Sequence, residues 1–414
     1  MYDYGSRVSI RDVRVFTGDT VLPHAHVTFE NGLIVTVATQ PSPVAEDAEI
    51  VDGRGRTLLP GLIDAHAHVF PGNLEQAAVF GVTTVLDLMA DPAAINTLRR
   101  QADRTPTMAD VRTAGTAATV PGGYGWYLVE MGYLPPFPTL TEPAHAEAFI
   151  DARLSEGSDY IKILIDDGST TGTPLPMLGE VTMTALVDHA HARDRLTIAH
   201  VLNASDAVKA VHAGVDVLGH LFVDRPADPD LPHLLAEHDT AVIPTLAVLD
   251  GLFGRPHASE LLTDHRIEPY LDDTSRQMLS FGAIPLNPEA RYNLDIPHHT
   301  LSLLRDAGVT ILAGSDASNP DTAHGATLHL ELELLVRAGL TPIEALAAAT
   351  SAPADRFTLA DRGRIAPGLR ADLLLVDGDP TSTITNTRDI TAIWRNGQRI
   401  ERARQPSQAT RPGL

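Results

Sequence analysis

The chain has 414 residues, no cysteine and a formal net charge of −22. This length exceeds one ordinary hydrophobic core, so a large domain with a smaller companion is expected. The negative charge argues against a nucleic-acid partner or an anionic membrane partner. The lack of cysteine excludes disulfides and thiolate ligands, so any metal ion must be bound by nitrogen and oxygen donors.

Both ends of the chain are predicted to be rich in short strands. Asn31-Gly32 in the N-terminal part and Asn396-Gly397 in the C-terminal part each lie between strand-like segments and indicate a hairpin turn. The segment between these ends has a different pattern. We therefore predict one small β-sandwich domain that is built from both termini, residues 1–59 and 364–414.

The middle of the chain, residues 60–363, alternates apolar strand-like segments with amphipathic helical segments such as 91–104, 144–156 and 181–193. This alternation predicts an α/β fold in which eight strands and their helices form a (β/α)8 TIM-like barrel. The eight predicted strands lie near residue 62 and at 84–88, near 111, and at 161–165, 197–200, 215–220, 241–245 and 309–313.

The first barrel strand ends in two histidines that are one residue apart, His66 and His68. Side chains at positions i and i+2 of a strand point to the same face, so both imidazoles can bind one metal ion. A helical pattern surrounds His189 and His191, and on a helix this spacing turns the side chains away from each other. That pair is interpreted as surface histidine.

A third pair with the same spacing, His24 and His26, lies on a predicted N-terminal strand. Its geometry is suitable for chelation. The sequence shows no later cluster of metal-binding residues in the same domain, so the two residues are interpreted as solvated strand histidines.

Further polar side chains lie at the ends of other barrel strands: Lys162, His200, His220 and Asp316. Each has an ordinary structural explanation when taken singly, such as a hydrogen-bonded core histidine or a helix N-cap. Because these strand ends meet at one end of a barrel, their joint placement favours a divalent metal centre.

Lys162 is one of only two lysines among 31 basic residues. A lysine inside a buried strand is costly unless its charge is neutralised. A lysine that has reacted with CO2 becomes a carbamate, an anion with two oxygens that can bridge two metal ions. This reaction would explain why Lys162 is placed on a buried strand.

The chain resembles the amidohydrolase superfamily over nearly its whole length, and within it the binuclear prolidase-like and imidazolonepropionase-related branch. The motifs that carry the resemblance are Pro60-Gly-Leu-Ile-Asp-Ala-His-Ala-His68, Lys162, His200, His220 and Gly314-Ser-Asp316, with flanking matches at 328–335, 339–346 and 363–373.

The resemblance implies a hydrolase that cleaves a C–N bond of a small amide or cyclic amide by means of a hydroxide bridging two divalent metal ions, expected to be zinc. It implies that carboxylated Lys162 bridges the two ions and that Asp316 also shuttles a proton to the leaving nitrogen. The implied ligands are His66, His68 and Asp316 for the first ion and His200 and His220 for the second.

Two departures from the family pattern limit the range of expected substrates. Prolidase-like relatives hold their substrate with a Gly-Gly-His segment, which here reads Gly122-Gly123-Tyr124, so a dipeptide with a free carboxylate is disfavoured. Asn203 stands where ring deaminases have a glutamate. The alternatives are a mononuclear ring hydrolase or deaminase in which Lys162 is only structural, a prolidase-type dipeptidase, and an inactive scaffold that binds a partner.

Long connections follow the third and seventh strands, at 121–143 and 250–296, on the barrel face where active sites form. The first of them contains five aromatic residues within 14 positions, including Tyr124 and Trp126. These rings form either a satellite core or an aromatic lip over the metals. On the second interpretation Tyr124 and Trp126 bind the substrate.

The chain has no run of 18 apolar residues, and its N-terminus shows no basic segment followed by an apolar one. A cytoplasmic location is therefore expected. The expected partner is a small-molecule substrate, with neither nucleic acid nor membrane, and the chain is expected to form a homo-oligomer.

Overall fold

The computed structural model describes residues 7–41 and 48–405. The N-terminal residues that bear most directly on a signal peptide lie outside this described part. The strands are β1 (Val8–Phe16), β2 (Val21–Glu30), β3 (Leu33–Ala38), β4 (Glu49–Asp52), β5 (Arg56–Pro60), β6 (Leu62–Ala67), β7 (Val82–Asp87), β8 (Asp110–Thr113), β9 (Ile161–Leu164), β10 (Thr197–His200), β11 (Val217–Gly219), β12 (Ala241–Ile243), β13 (Leu373–Asp377), β14 (Ile390–Arg395) and β15 (Gln398–Ile400).

The helices lie mostly between the barrel strands. They are α1 (Asn73–Val79), α2 (Pro92–Ala102), α3 (Tyr127–Glu130), α4 (Ala146–Ser155), α5 (Glu180–His191), α6 (Ala204–His212), α7 (Leu231–Glu237), α8 (Leu246–Leu252), α9 (Ala258–Thr263), α10 (Asp273–Leu279), α11 (Asp295–Asp306), α12 (Ala326–Arg337), α13 (Pro342–Ala348) and α14 (Ser351–Arg356), with 3₁₀ turns at Pro143–His145, Glu268–Tyr270 and Ile384–Arg388.

Strands from both ends of the chain form one sheet in the order β15-β14-β13-β5-β1-β2-β3, with β4 beside β1. The antiparallel pair of β5 and β13 joins the two ends, with Pro60 opposite Leu373. Phe29 and Trp394, which come from opposite ends of the sequence, meet edge to face in its core. The predicted small β-domain from both termini is confirmed, whereas its limits at 1–59 and 364–414 remain a prediction.

Both predicted Asn-Gly hairpins are present. Asn31 and Gly32 have φ values of 53° and 81°, and Asn396 and Gly397 have values of 50° and 72°. Two consecutive positive φ values are the signature of the type I′ turn, whose twist matches that of the flanking strands. The two turns also touch, because a Cβ atom on Gly32 would lie 3.0 Å from the carbonyl oxygen of Asn396.

The middle of the chain confirms the predicted α/β barrel. β6-β7-β8 and β9-β10-β11-β12 form two parallel sheets. A parallel bridge between Ala118 and Ile163 joins them on one side, and the segment 311–317 bridges β12 and β6 on the other. The predicted eighth strand is therefore an extended segment held by isolated bridges and not a regular strand.

The predicted helices at 91–104, 144–156 and 181–193 correspond to α2, α4 and α5, to within two residues at each end. The two long connections are partly helical, since α3 lies in the first, and the second contains the end of α8, then α9 and α10, and the start of α11. None of the helices in the described part of the chain is long and apolar enough to cross a bilayer.

Candidate active site

The six side chains predicted to hold metal come together at the carboxyl end of the barrel strands. They line a single cavity of ≈ 350 Å³. Five of them are at most 5% exposed, and His68 is the most accessible, with 24% of its side chain exposed. These six residues are His66, His68, Lys162, His200, His220 and Asp316.

Asp316 lies at the centre of this group. Its Oδ1 atom lies 3.3 Å from Nε2 of His66 and 3.1 Å from Nε2 of His68. Its Oδ2 atom lies 3.8 Å from Nε2 of His220. One ligand atom each from His66, His68 and Asp316 falls within 4.8 Å of the others, which is compact enough for all three to bind one ion.

Two of the histidines are oriented by contacts on their other ring nitrogen. Nδ1 of His68 lies 3.3 Å from the carbonyl oxygen of Met89, and Nδ1 of His220 lies 2.6 Å from Oγ1 of Thr245. The Thr245 hydroxyl itself donates to the carbonyl of Pro244, so the ring proton of His220 is placed on Nδ1. Nε2 is thereby left unprotonated, as a metal ligand requires.

Lys162 and His200 end in buried atoms that make no hydrogen bond to the described residues, namely Nζ and Nε2. Gly219 makes room for them, since a Cβ atom there would lie 3.0 Å from Nζ of Lys162. Burial lowers the pKa of Lys162 to about 7. It also holds the pKa of His66 and His200 well below the usual histidine value, so both rings are neutral.

This donor set fits divalent metal ions. Neutral imidazoles and a carboxylate are the ligands that zinc and neighbouring transition metals prefer. Among the described residues, Nε2 of His200 and Nζ of Lys162, both on side chains that line the cavity, have no hydrogen-bond partner. Buried polar atoms are rarely left unpaired unless they serve a ligand or an ion.

Asp64 holds the first and last barrel strands together directly behind this group. Its carboxylate accepts hydrogen bonds from the amide of His66 (3.3 Å) and from the amide (2.9 Å) and hydroxyl (2.6 Å) of Ser315. Asp64 therefore contacts His66 directly and also Ser315, the residue that precedes Asp316. Asp64 lies within the motif at 60–68, but its position there did not reveal these contacts.

Glu331 is a second supporting carboxylate that sequence reasoning missed. It is fully buried on α12, and it accepts the amides of Leu246 (3.0 Å) and Ala247 (2.8 Å) at the start of α8. The residue just before α8 is Thr245, which holds His220. The only sequence signal was an acidic residue inside an apolar helix.

The aromatic loop after the third strand divides into two groups. Tyr124 lines the cavity and stacks on His200, with ring centroids 4.1 Å apart, and Tyr127 and Tyr133 line the cavity as well. The prediction that Trp126 binds substrate does not fit its position. Its indole packs edge to face on Phe137 and is not part of the cavity wall, so it anchors the loop.

A comparison with known families decides the class of this protein. The model of the amidohydrolase family matches residues 57–400. This chain belongs to the amidohydrolase family. It is therefore a hydrolase, and members of the family generally use divalent metals and act on small molecules.

The chain is also similar to individual relatives in sequence and to solved structures in fold. Imidazolonepropionase from Salinispora arenicola is 26% identical over 387 residues, which covers 86% of each chain. A solved Xaa-Pro dipeptidase with bound methionine has a TM-score of 0.77 at 21% identity, and it covers 96% of this chain and 100% of its own. Phenylurea hydrolase B has a TM-score of 0.74 at 22% identity, covering 98% and 100%.

Removing the carboxylate of Glu331 is expected to loosen the metal centre of this amidohydrolase. Glu331→Ala leaves two buried amides of α8 without an acceptor, at a cost of about 1–3 kcal/mol each, and it frees Thr245 to shift. We expect a lower melting temperature and faster loss of metal to a chelator. Glu331→Gln keeps one acceptor oxygen and should be milder. Unchanged metal retention in Glu331→Ala would exclude this supporting role.

Proposed function

We propose that this chain is a binuclear metal-dependent hydrolase that cleaves the C–N bond of an uncharged amide or cyclic amide. The observation that carries this proposal is the convergence of six side chains able to bind metal in one cavity, where Nζ of Lys162 and Nε2 of His200 are buried and have no hydrogen-bond partner in the described part of the chain. In this proposal His66, His68 and Asp316 would hold one metal ion, His200 and His220 would hold the other, and Lys162, once carboxylated, would supply an anionic ligand to both.

The metal ions, when bound, supply Lewis acidity that polarises the scissile carbonyl and lowers the pKa of water. Asp316 is the side chain placed to move the proton. Burial alone would raise its pKa, but the hydrogen bond with His68 and the nearby His220 hold that pKa below its usual value. Asp316 is thus a carboxylate that can take a proton from water and release it to the leaving nitrogen.

The rest of the cavity favours a neutral, largely apolar substrate. Apart from the six metal-binding residues, the cavity-lining side chains that the structure describes include no arginine or lysine to pair with a substrate carboxylate. The cavity wall is mostly apolar, as is typical of small-molecule sites. It includes Phe70, Met89, Tyr127, Leu128, Met131, Tyr133, Leu134, Leu164 and Met278.

Tyr124 would orient the substrate in this cavity. Burial raises the pKa of its phenol well above the usual value, so the hydroxyl stays protonated and can donate a hydrogen bond. It occupies the position at which prolidase-like relatives carry histidine. Because the fold neighbours include both a dipeptidase and a phenylurea hydrolase, the fold alone does not choose the substrate.

One observation favours a second candidate, a mononuclear ring hydrolase in which Lys162 is unmodified. Only His66, His68 and Asp316 form a compact ligand group among the described residues around the cavity, whereas His200 joins no such group there. In this candidate a single ion is bound by these three side chains. Metal content per chain separates the two candidates.

Asp316→Asn is expected to keep the fold and much of the metal while kcat falls by roughly 10²–10⁴-fold, because the amide cannot accept the proton. The measurement is kcat on a turned-over amide together with metal analysis. Asp188→Asn, on the exposed side of α5, is the matched control and should leave kcat unchanged. A near-normal kcat in Asp316→Asn would remove Asp316 from proton transfer.

Lys162→Ala is expected to lose both metal occupancy and activity, since the bridging carbamate cannot form. Short carboxylates added to the variant should restore part of both. The other lysine of the chain, Lys209, provides the control: Lys209→Ala should retain metal and turnover. A mass or ¹³C-labelling measurement that finds an unmodified Lys162 in the metal-loaded enzyme would favour the mononuclear candidate.

Tyr124→Phe and Tyr127→Ala are expected to raise KM for amides with a bulky aromatic group and to leave metal content unchanged. They remove a hydrogen-bond donor and an apolar wall, and aromatic contacts contribute roughly 0.5–1.5 kcal/mol per pair. Trp126→Ala, in the same loop but outside the cavity wall, should lower the melting temperature without changing KM. Equal kcat/KM for acetyl and aromatic amides would show that the cavity does not select apolar substrates.

A further inference from the structure

The small β-domain carries a second cluster of metal-binding side chains. Asp12 lies on β1, and His24 and His26 lie on the neighbouring strand β2. Oδ1 of Asp12 lies 3.4 Å from Nε2 of His24 and 3.9 Å from Nε2 of His26. We propose that these three side chains bind a divalent transition-metal ion such as zinc, at a site separate from the barrel cavity.

The two histidines are correctly placed by the strand itself. Because they are two residues apart on β2, both rings project from the same face of the sheet. Their ring centroids are 5.5 Å apart. The sequence interpretation of a solvated pair holds for His24 but not for His26, which is only 8% exposed, and Asp12 lies close enough to both rings to serve as a third ligand.

A β-bulge in β1 brings Asp12 to them. The pairing of β1 with β2 shifts between Ile10 and Val13, so Arg11 and Asp12 together stand opposite the single residue His26. Asp12 has a φ of 56°, in the left-handed region that aspartate adopts more readily than most residues. Bulges of this kind redirect a side chain, and here the redirected carboxylate points at both imidazoles.

The strongest sign of a ligand is the unpaired nitrogen of His26. Its Nε2 atom is buried and has no hydrogen-bond partner among the residues that the structure describes. A metal ion bound there would satisfy it. The amide of Asp12 donates a long hydrogen bond of 3.4 Å to Nδ1 of His26. Metal binding at Nε2 would move the ring proton to Nδ1 and would break this weak hydrogen bond.

The donor set selects the kind of ion. Two neutral imidazoles with one carboxylate suit zinc, cobalt or nickel, whereas magnesium and calcium prefer oxygen ligands throughout. The side chains of His24 and Asp12 are 59% and 43% exposed, so an ion can enter and keep water as its fourth ligand. The nearby cation Arg54 is engaged by Asp52 through hydrogen bonds of 2.7–3.1 Å.

Such an ion would hold β1 and β2 together. Both strands belong to the sheet that unites the two ends of the chain. Because the three ligands are adjacent only after β1 and β2 have paired, the ion binds the folded state and stabilises it by mass action. Its expected effect is on the stability of the β-domain and not on turnover.

The test measures how many zinc ions each chain of the purified enzyme binds while its barrel metals remain bound. After equilibrium dialysis against a buffered series of free zinc concentrations, bound zinc is measured by elemental analysis and the melting temperature is recorded. The variants are Asp12→Asn, which keeps the side-chain shape and the left-handed preference, and His24→Asn at an exposed position. The control is His189→Asn, from the histidine pair on helix α5.

We expect the wild-type enzyme and His189→Asn to bind one more zinc per chain than Asp12→Asn or His24→Asn. The affinity for that ion should fall by more than the roughly 10–100-fold typical of losing an outer-shell partner. Turnover should be the same in all four proteins, and magnesium should give no difference. Equal zinc binding and an equal zinc-dependent rise in melting temperature in wild type and both site variants would overturn the proposal.

Discussion

The carboxylate of Asp64 is the contact on which the closed barrel and its metal centre depend. The last barrel segment is joined to its neighbours by isolated bridges and a few backbone hydrogen bonds, and it does not form a regular strand. Asp64 reinforces this junction, because two hydrogen bonds join its carboxylate to Ser315 and a third comes from the amide of His66 in its own strand. Burial raises its pKa to about 6, a measure of the desolvation that these bonds offset.

Three residues with strained backbone conformations lie at the same end of the barrel. His220, Thr245 and Asp316 all have positive φ values, 79°, 50° and 52°. Each such residue costs of order 1–3 kcal/mol and persists only when its surroundings over-determine it. Hydrogen bonds fix two of these residues. The amide of Asp316 donates to the carbonyl of His66, and Glu331 accepts from the first amide of the helix that follows Thr245. His220 and Asp316 line the cavity, and Thr245 contacts His220 from outside the cavity wall.

The sequence predicted those features that depend on spacing along one element. His66 and His68 share a face because strand side chains alternate, and both Asn-Gly turns formed because only a few residues adopt two left-handed conformations in succession. The barrel order followed from alternating strands and helices. These predictions required no knowledge of which distant residues touch.

Features that depend on contacts between elements were not predictable in this way. Asp12 became a partner of His24 only through a bulge, which a single sequence does not mark. The aromatic loop was recognised, but whether Trp126 or Tyr127 faces the cavity depends on how the loop folds back. Glu331 and Asp64 act across the barrel, and their partners lie far away in sequence.

The pairing of β5 with β13 also constrains how this chain can be made. β5 is synthesised before the barrel and β13 after it, so on the ribosome β5 emerges without its neighbour on that side. Such distant pairings form slowly because a large loop must close first. During that interval the apolar edge of β5 is open to other chains, so we expect cells to depend on chaperones while this protein is being synthesised.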